Sequence, residues 1–293
     1  MLKDYQLIEL YCAICQHHDT TLAAAAQRLS NNSCPQFTDE ECITIYLWGI
    51  IRQKYDVKAI YHYILDYYLD WFPNIPSYQA FNHRICYLSD AFESLADILL
   101  KNTDIAPEVN AYLTDSMPII VAGAKRSSSA RVAPELCDKG YCGSKDMFYY
   151  GVKLHALAQS KLGSLPIPAN ISITAASNND LTVAKQSMLY DVYNIDVYAD
   201  KAYKNTSWEN TMLHENNVNI FTPVKLNKGQ TKLDFFDGLY SAAVSAVRQP
   251  IEAFFAWLQE KTHINIASKV RSTNGLLSFV YARIAAACFL FNS

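Results

Sequence analysis

The chain has 293 residues, of which 51% are apolar and only 18% charged. That composition excludes an extended disordered chain and leaves room for one large core or two modest ones. A net charge of −3 excludes a globally basic protein, so any grip on nucleic-acid phosphates must come from local clusters.

The opening MLKDYQLIEL carries Lys3, Asp4 and Glu9 and does not read as an export leader. The apolar stretches are helix-sized and interrupted by polar residues, short of the roughly 18 positions a membrane span needs. The expectation is a cytoplasmic protein, with no membrane partner. Its eight cysteines, Cys12, Cys15, Cys34, Cys42, Cys86, Cys137, Cys142 and Cys288, are then reduced thiols. Cys12 and Cys15, with His17 and His18 nearby, share one predicted helix and lack a second ligand pair, so they read as packing residues rather than a zinc site.

Residues 1 to about 105 are expected to be helical. In DYQLIELYCAICQHH, residues Leu7, Leu10, Tyr11 and Ile14 recur at helical spacing. FTDEECITIYLWGIIRQKY opens with a capping box, Thr38 as N-cap and Glu41 three residues on. DVKAIYHYILDYYLDWF is a Tyr-dense helix. After two prolines, Ser77 caps a helix carrying Gln79, Asn82, His83 and Arg84 on its polar side. That side either reads DNA or packs among tyrosines.

From about residue 110 the period changes. AYLTDSMPIIVAG, YYGVKLHALAQS and ANISITA read as extended, the last two as a hairpin around GSLPIP. SSSARVAPELCDKGYCGSKD reads as a polar loop. SNND caps a helix in LTVAKQSMLYDVY, VYAD ends a short strand, WENTMLHEN is helical, NIFTPVK is a last strand, and 239–291 is helical. The order implies an α/β domain over 106–293 behind an all-α domain over 1–105.

Asp115 and Asp200 each end a strand-like run, YLT and DVYA. Carboxylates at strand ends converge at one sheet edge, where they repel unless a cation joins them. Oxygen donors without Cys or His favour magnesium or manganese. Most strand-end aspartates are merely caps or turn formers, so the flanks matter. TDSMPI, YYGVKLHAL, PANISITAASNND, YADKAY and RQPIEAFFAWLQEKTHI, in this order and spacing, resemble the DDE-type insertion-sequence transposases. FTDEECITIYLW and FPNIPSYQAFNHRI extend the resemblance upstream over nearly the whole chain.

The resemblance implies a ribonuclease-H-like mixed sheet flanked by helices. Its carboxylate triad would be Asp115 on the first core strand, Asp200 just after the fourth, and Glu252 on a following helix. It implies two Mg²⁺ or Mn²⁺ ions on those three residues. It further implies DNA partners, the terminal inverted repeats and the target, and a homodimer on DNA. Asp115 falls on the family's DS-P motif, Asp200 on its D-K-G-Y motif, and Arg248 with Glu252 on its Arg-x3-Glu signature. The chain departs from the pattern at Ala202, where Gly is usual, and at Ser245 and Gln259, where the wider signature has Tyr and Lys; Lys261 stands two residues out of phase.

Asp138-Lys139-Gly140-Tyr141 matches D-K-G-Y letter for letter, but no strand run precedes it, and Asp200 is preferred on that ground. Arg248, Lys201 and Lys261 are accessory candidates. Lys125, Arg126 and Arg131 form a basic loop after the first core strand, either solvated or contacting DNA near the active site; Arg84 is a further DNA-contact candidate. Val244, Val247, Ile251, Phe254, Phe255 and Leu258 form an apolar helical stripe. Pro250 within it either opens a helix or kinks one. His155 and Lys153 share one face of their strand, and His155 reads as a hydrogen-bonded histidine at a sheet edge. The activity implied is metal-dependent cleavage and strand transfer. A nuclease on the same core, or an inactive DNA-binding remnant, is the alternative.

Overall fold

The chain's computed structural model describes residues 2–28, 35–103, 105–106, 108–226 and 229–292, with backbone alone for 2–4, 144 and 292. Cys34 lies outside the described residues. The helices are α1 (Leu2–His17), α2 (Ala23–Ala25), α3 (Asp39–Ile51), α4 (Val57–Tyr67), α5 (Tyr78–Tyr87), α6 (Ser89–Lys101), α7 (Asp180–Val183), α8 (Thr206–Asn216), α9 (Phe235–Arg248), α10 (Pro250–Thr262) and α11 (Thr273–Asn292). The strands are β1 (Ala111–Gly123), β2 (Asp138–Cys142), β3 (Met147–Gln159), β4 (Ile167–Ala175), β5 (Asp196–Tyr198) and β6 (Asn219–Phe221).

Two compact units result. One comprises Met1–Asn102, Val132–Glu135 and Leu258–Ser293; the other comprises Thr103–Arg131 and Leu136–Trp257. The sequence places one boundary near residue 105 and assigns everything after it to the second domain. The observed division instead returns the C-terminal helix to the first unit. The reason is composition: α11 is apolar nearly all round, and by length and composition alone it could cross a membrane. Here Leu276, Val280, Ala282, Ile284, Ala285 and Ala286 are buried, and α11 packs on α6, α3 and α5.

In this helical unit the capping box forms as read: the Thr38 hydroxyl accepts from the Glu41 amide and the Glu41 carboxylate from the Thr38 amide. Leu7, Leu10 and Ile14 of α1 are buried, while Tyr11 keeps 37% exposure. Ser77 caps α5. Asp39 gathers two guanidinium groups, Arg28 and Arg84, each at 2.6 Å. Arg283, fully buried on α11, donates to the Tyr46 hydroxyl and to the Phe279 and Tyr55 carbonyls, with its guanidinium over the Phe279 ring. A buried cation without those acceptors would cost several kcal/mol.

The second unit is a six-stranded mixed sheet in the order β2-β3-β1-β5-β6, with β4 also on β3. β1 and β4 run antiparallel to β3, whereas β5 and β6 run parallel to β1 and to each other. This is the ribonuclease-H-like arrangement expected. Its apolar layer includes Leu157, Val183, Met188, Leu189, Val197, Tyr203 and Val218. Buried Gln159 secures the entry to β1, donating to the Ala106 and Val109 carbonyls and accepting from the Ala106 amide.

Three local expectations change. The segment DKGYC is not loop but the edge strand β2, paired with residues 147–151 of β3, while β4 pairs the remainder of the same edge. Asp200 therefore follows the fifth strand in chain order, not the fourth. Pro250 opens α10 and Arg248 ends α9, which settles the alternative at that proline. Val247 is 37% exposed and leaves the apolar stripe, whose other members are buried.

β1 and β3 approach so closely at Gly151 that a Cβ there would run into the Ile119 carbonyl oxygen. Gly151→Ala should therefore destabilise the protein by about 2–3 kcal/mol, because backbone rather than a flexible side chain must yield. The urea-unfolding midpoint reads this out, and an unchanged midpoint would contradict the close β1–β3 approach.

Candidate active site

β1 and β5 are parallel, with Leu113 opposite Tyr198. Continuing both chains two residues brings Asp115 level with Asp200, which lies just beyond the end of β5. The short strand and the turn Lys201–Tyr203 thus set the two carboxylates side by side where β5 ends against β1; Asp115 itself lies within β1, not at the strand end expected from the sequence. Glu252 comes from the first turn of α10. It joins through Arg248, whose Nη1 donates to Asp115 Oδ2 at 2.6 Å and whose Nη2 donates to Glu252 Oε1 at 2.5 Å. One guanidinium fork spans the first strand and the helix pair. The Arg-x3-Glu spacing creates half of this bridge, since residues four apart share a helical face even across the α9–α10 junction.

Electrostatics follow from placement. Burial pushes the Asp115 carboxyl up to about 6, against the Ser116 amide and Arg248, which pull it down; Asp200 and Asp180 add to the rise. Two carboxylates so placed beside a third call for positive charge. Arg248 supplies one unit of it.

Asp180 carries no chemical signal in the sequence, where SNND reads only as a cap. Its Oδ1 accepts from the Ser116 hydroxyl at 3.1 Å and from Lys153 Nζ at 3.0 Å. Ser116 and His155 are cross-strand partners, so these groups share the sheet face opposite Asp115. The only sequence signal was Asn179, the cap that sets the start of α7 and so the position of Asp180. His155 is buried on the interior strand β3, not at a sheet edge. Its Nε2 lies 2.9 Å from the Thr174 hydroxyl, and burial lowers its pKa to about 4, so it is neutral at pH 7.

The remaining candidates separate. Lys201 is exposed immediately after Asp200. Lys261 bonds the neighbouring Glu260 within the helical unit. Arg84 is held by Asp39 and the Ala26 carbonyl, which takes its guanidinium out of the solvent-facing set. Lys125, Arg126 and Arg131 are exposed on and after the turn at the end of β1. At about 3.3 Å per residue, Gly123 lies roughly 25 Å along the strand from Asp115. That loop is therefore not beside the carboxylates as expected, because β1 runs on to Gly123.

Asp138 of the matching DKGY is level with Gly151 and hence with Ile120, five residues along β1 from Asp115. It is exposed and accepts from the Ser177 hydroxyl, which lowers its pKa. The glycine of this motif has a packing cause: a Cβ on Gly140 would come within 2.5 Å of the Ala176 carbonyl oxygen.

The donor set of Asp115, Asp200 and Glu252 is all oxygen, which fits magnesium or manganese. Among the described residues, their oxygens do not all lie within 4.8 Å of one another; the group that does so is His18, Asp19 and Glu40 in the helical unit. Arg248 stands between two of the three carboxylates, so closing them around one cation requires that fork to yield.

The His155 environment makes a pH prediction. Its folded pKa lies below the ordinary 6.5, so the unfolded chain takes up the proton first. The resulting stability is present above pH 6.5 and is lost as pH falls toward 4. Asp115, whose pKa is raised, contributes with the opposite sign but equally in both proteins compared. Between pH 6.5 and 4, His155→Asn should lose about 1–3 kcal/mol less stability than the wild type in urea titrations. Parallel pH profiles would refute a buried neutral imidazole.

Residues 106–272 match the family model described as the transposase DDE domain. No curated protein and no solved structure matches the chain.

Proposed function

Because the chain belongs to the family of transposase DDE domains, we propose that it cuts DNA at the ends of its own element and joins the freed 3′-hydroxyls to target DNA. The observation that carries the reading is the convergence of Asp115 and Asp200 where β5 ends against β1, with Glu252 tied in by Arg248. Asp115, Asp200 and Glu252 are the residues to hold divalent ions, which when bound activate a water or a 3′-hydroxyl and stabilise the departing oxygen of the phosphodiester.

The protein's own groups have separate tasks. Arg248 keeps Asp115 and Glu252 oriented and, on yielding the carboxylates, offers its fork to a phosphate. Lys201, exposed beside Asp200, is placed to hold the backbone of the strand being cut. Lys125, Arg126 and Arg131 are too far along β1 for the scissile phosphate and suit the flanking duplex. Handling two element ends in one reaction calls for two copies of the chain, and the setting is the cytoplasm.

The test is a labelled terminal-repeat DNA incubated with the full chain and Mn²⁺. The wild type should cleave and join; Asp115→Asn, Asp200→Asn and Glu252→Gln should each lose at least about 1,000-fold in rate, since each removes a group needed in the transition state. Arg248→Gln should lose less. Cleavage without joining would point to a nuclease instead. Binding without cleavage, unaltered by Asp115→Asn, would leave a DNA-binding remnant.

A further inference from the structure

Helix α9 is exposed in an unusual way. Of its residues only Val244 is buried. Phe235 is 74% exposed, Phe236 80%, Leu239 55%, Tyr240 42% and Val247 37%. The helix is tied to its own unit by Val244, by the Ser241 hydroxyl accepting from the Val224 amide, and by Arg248. Phe235, Leu239, Ala242 and Ala246 recur at spacings of four, three and four, so they form one outward stripe, with Phe236, Ala243 and Val247 beside it. A stripe of this kind normally faces a core.

We propose that the outward stripe of α9 is the surface through which two copies of this chain pair, antiparallel and isologous. The proposal rests on the two-copy reading given above and assigns it a surface. Three features select a second copy as the occupant. First, α9 carries only Asp237 and Arg248 as charges, and Arg248 is engaged by Asp115 and Glu252, so the stripe offers nothing to DNA phosphates. Second, the stripe is self-complementary. Its large residues lie toward the N-terminal half and its alanines toward the C-terminal half, so antiparallel pairing sets Phe235 on Ala246 of the second copy and Leu239 on Ala242, and opposes the helix dipoles.

Third, the area suffices. At these exposures, with about 150–250 Å² per aromatic side chain, Phe235, Phe236, Leu239 and Val247, together with the exposed Ala242, Ala243 and Ala246, offer on the order of 500 Å². Paired, they bury about 1,000 Å², the lower bound for a specific interface. The pairing also braces the helix whose last residue, Arg248, holds the carboxylates.

The experiment measures the mass of the full chain by light scattering across a concentration series, alone and with terminal-repeat DNA. It compares wild type with Leu239→Glu/Ala243→Glu and with the milder Phe236→Ser. The expected result is a dimeric wild type and at least about 100-fold weaker self-association for the double variant, since like charges are then buried at the seam. Phe236→Ser should fall between. At concentrations low enough for every protein to be monomeric, all three should share one melting temperature, because these side chains are exposed within a single copy. A wild type that dimerises while both variants dimerise equally would overturn the assigned surface and leave the two-copy reading standing. A wild type that stays monomeric alone and on DNA would overturn both. Binding of the stripe to anionic lipid vesicles, lost in the double variant without dimer formation, would equally overturn it.

Discussion

A half-buried arginine between two carboxylates organises the catalytic unit. Asp115 is placed by β1 in surroundings that disfavour its charge, and Asp200 and Asp180 sharpen the penalty. Arg248 relieves it and, by holding Glu252 with its other nitrogen, joins the first strand to the α9–α10 pair. Break that fork and the helix bearing Glu252 loses its polar tie to the sheet. On the proposed reading a divalent cation would take the place of that fork, so orientation and metal capture would draw on one set of oxygens.

The sheet imposes a second constraint, which is register. Parallel pairing of β1 with β5 brings Asp115 level with Asp200, while the antiparallel pairing of β2 with β3 carries Asp138 away along the same sheet. Two D-K-x-Y segments with similar letters therefore have different fates. In one, the aspartate follows a strand end and meets a second carboxylate. In the other, the aspartate is solvated and the glycine serves close packing against Ala176.

Charge is placed locally, as the slightly acidic total requires. Lys153 is neutralised by Asp180, Arg84 and Arg28 by Asp39, and Lys261 by Glu260. Of the cations singled out in the sequence as DNA contacts or accessory residues, Lys201 by the site and the Lys125–Arg131 turn at the far end of β1 are exposed and outside these ion pairs. The apolar face of α9 complements this division, since a surface without cations has protein rather than DNA as its natural neighbour.

Features governed by neighbours in the chain were legible in the sequence: the capping box at Thr38, the Ser77 cap, the β3–β4 hairpin, and the Arg248–Glu252 pair at helical spacing. The family motifs around Asp115, Asp200 and Glu252 were legible as well, because residue type and order carry them. Long-range pairing was not. That DKGYC adds a strand, that α11 belongs with the first hundred residues, that Asp180 meets Lys153 and Ser116, and that Arg84 is consumed by Asp39 all depend on contacts between distant segments. Local sequence determined which groups exist and which local elements carry them. Only the tertiary structure decided which charges are already neutralised and which are left for chemistry, because desolvation and partnering are properties of a site and not of a residue.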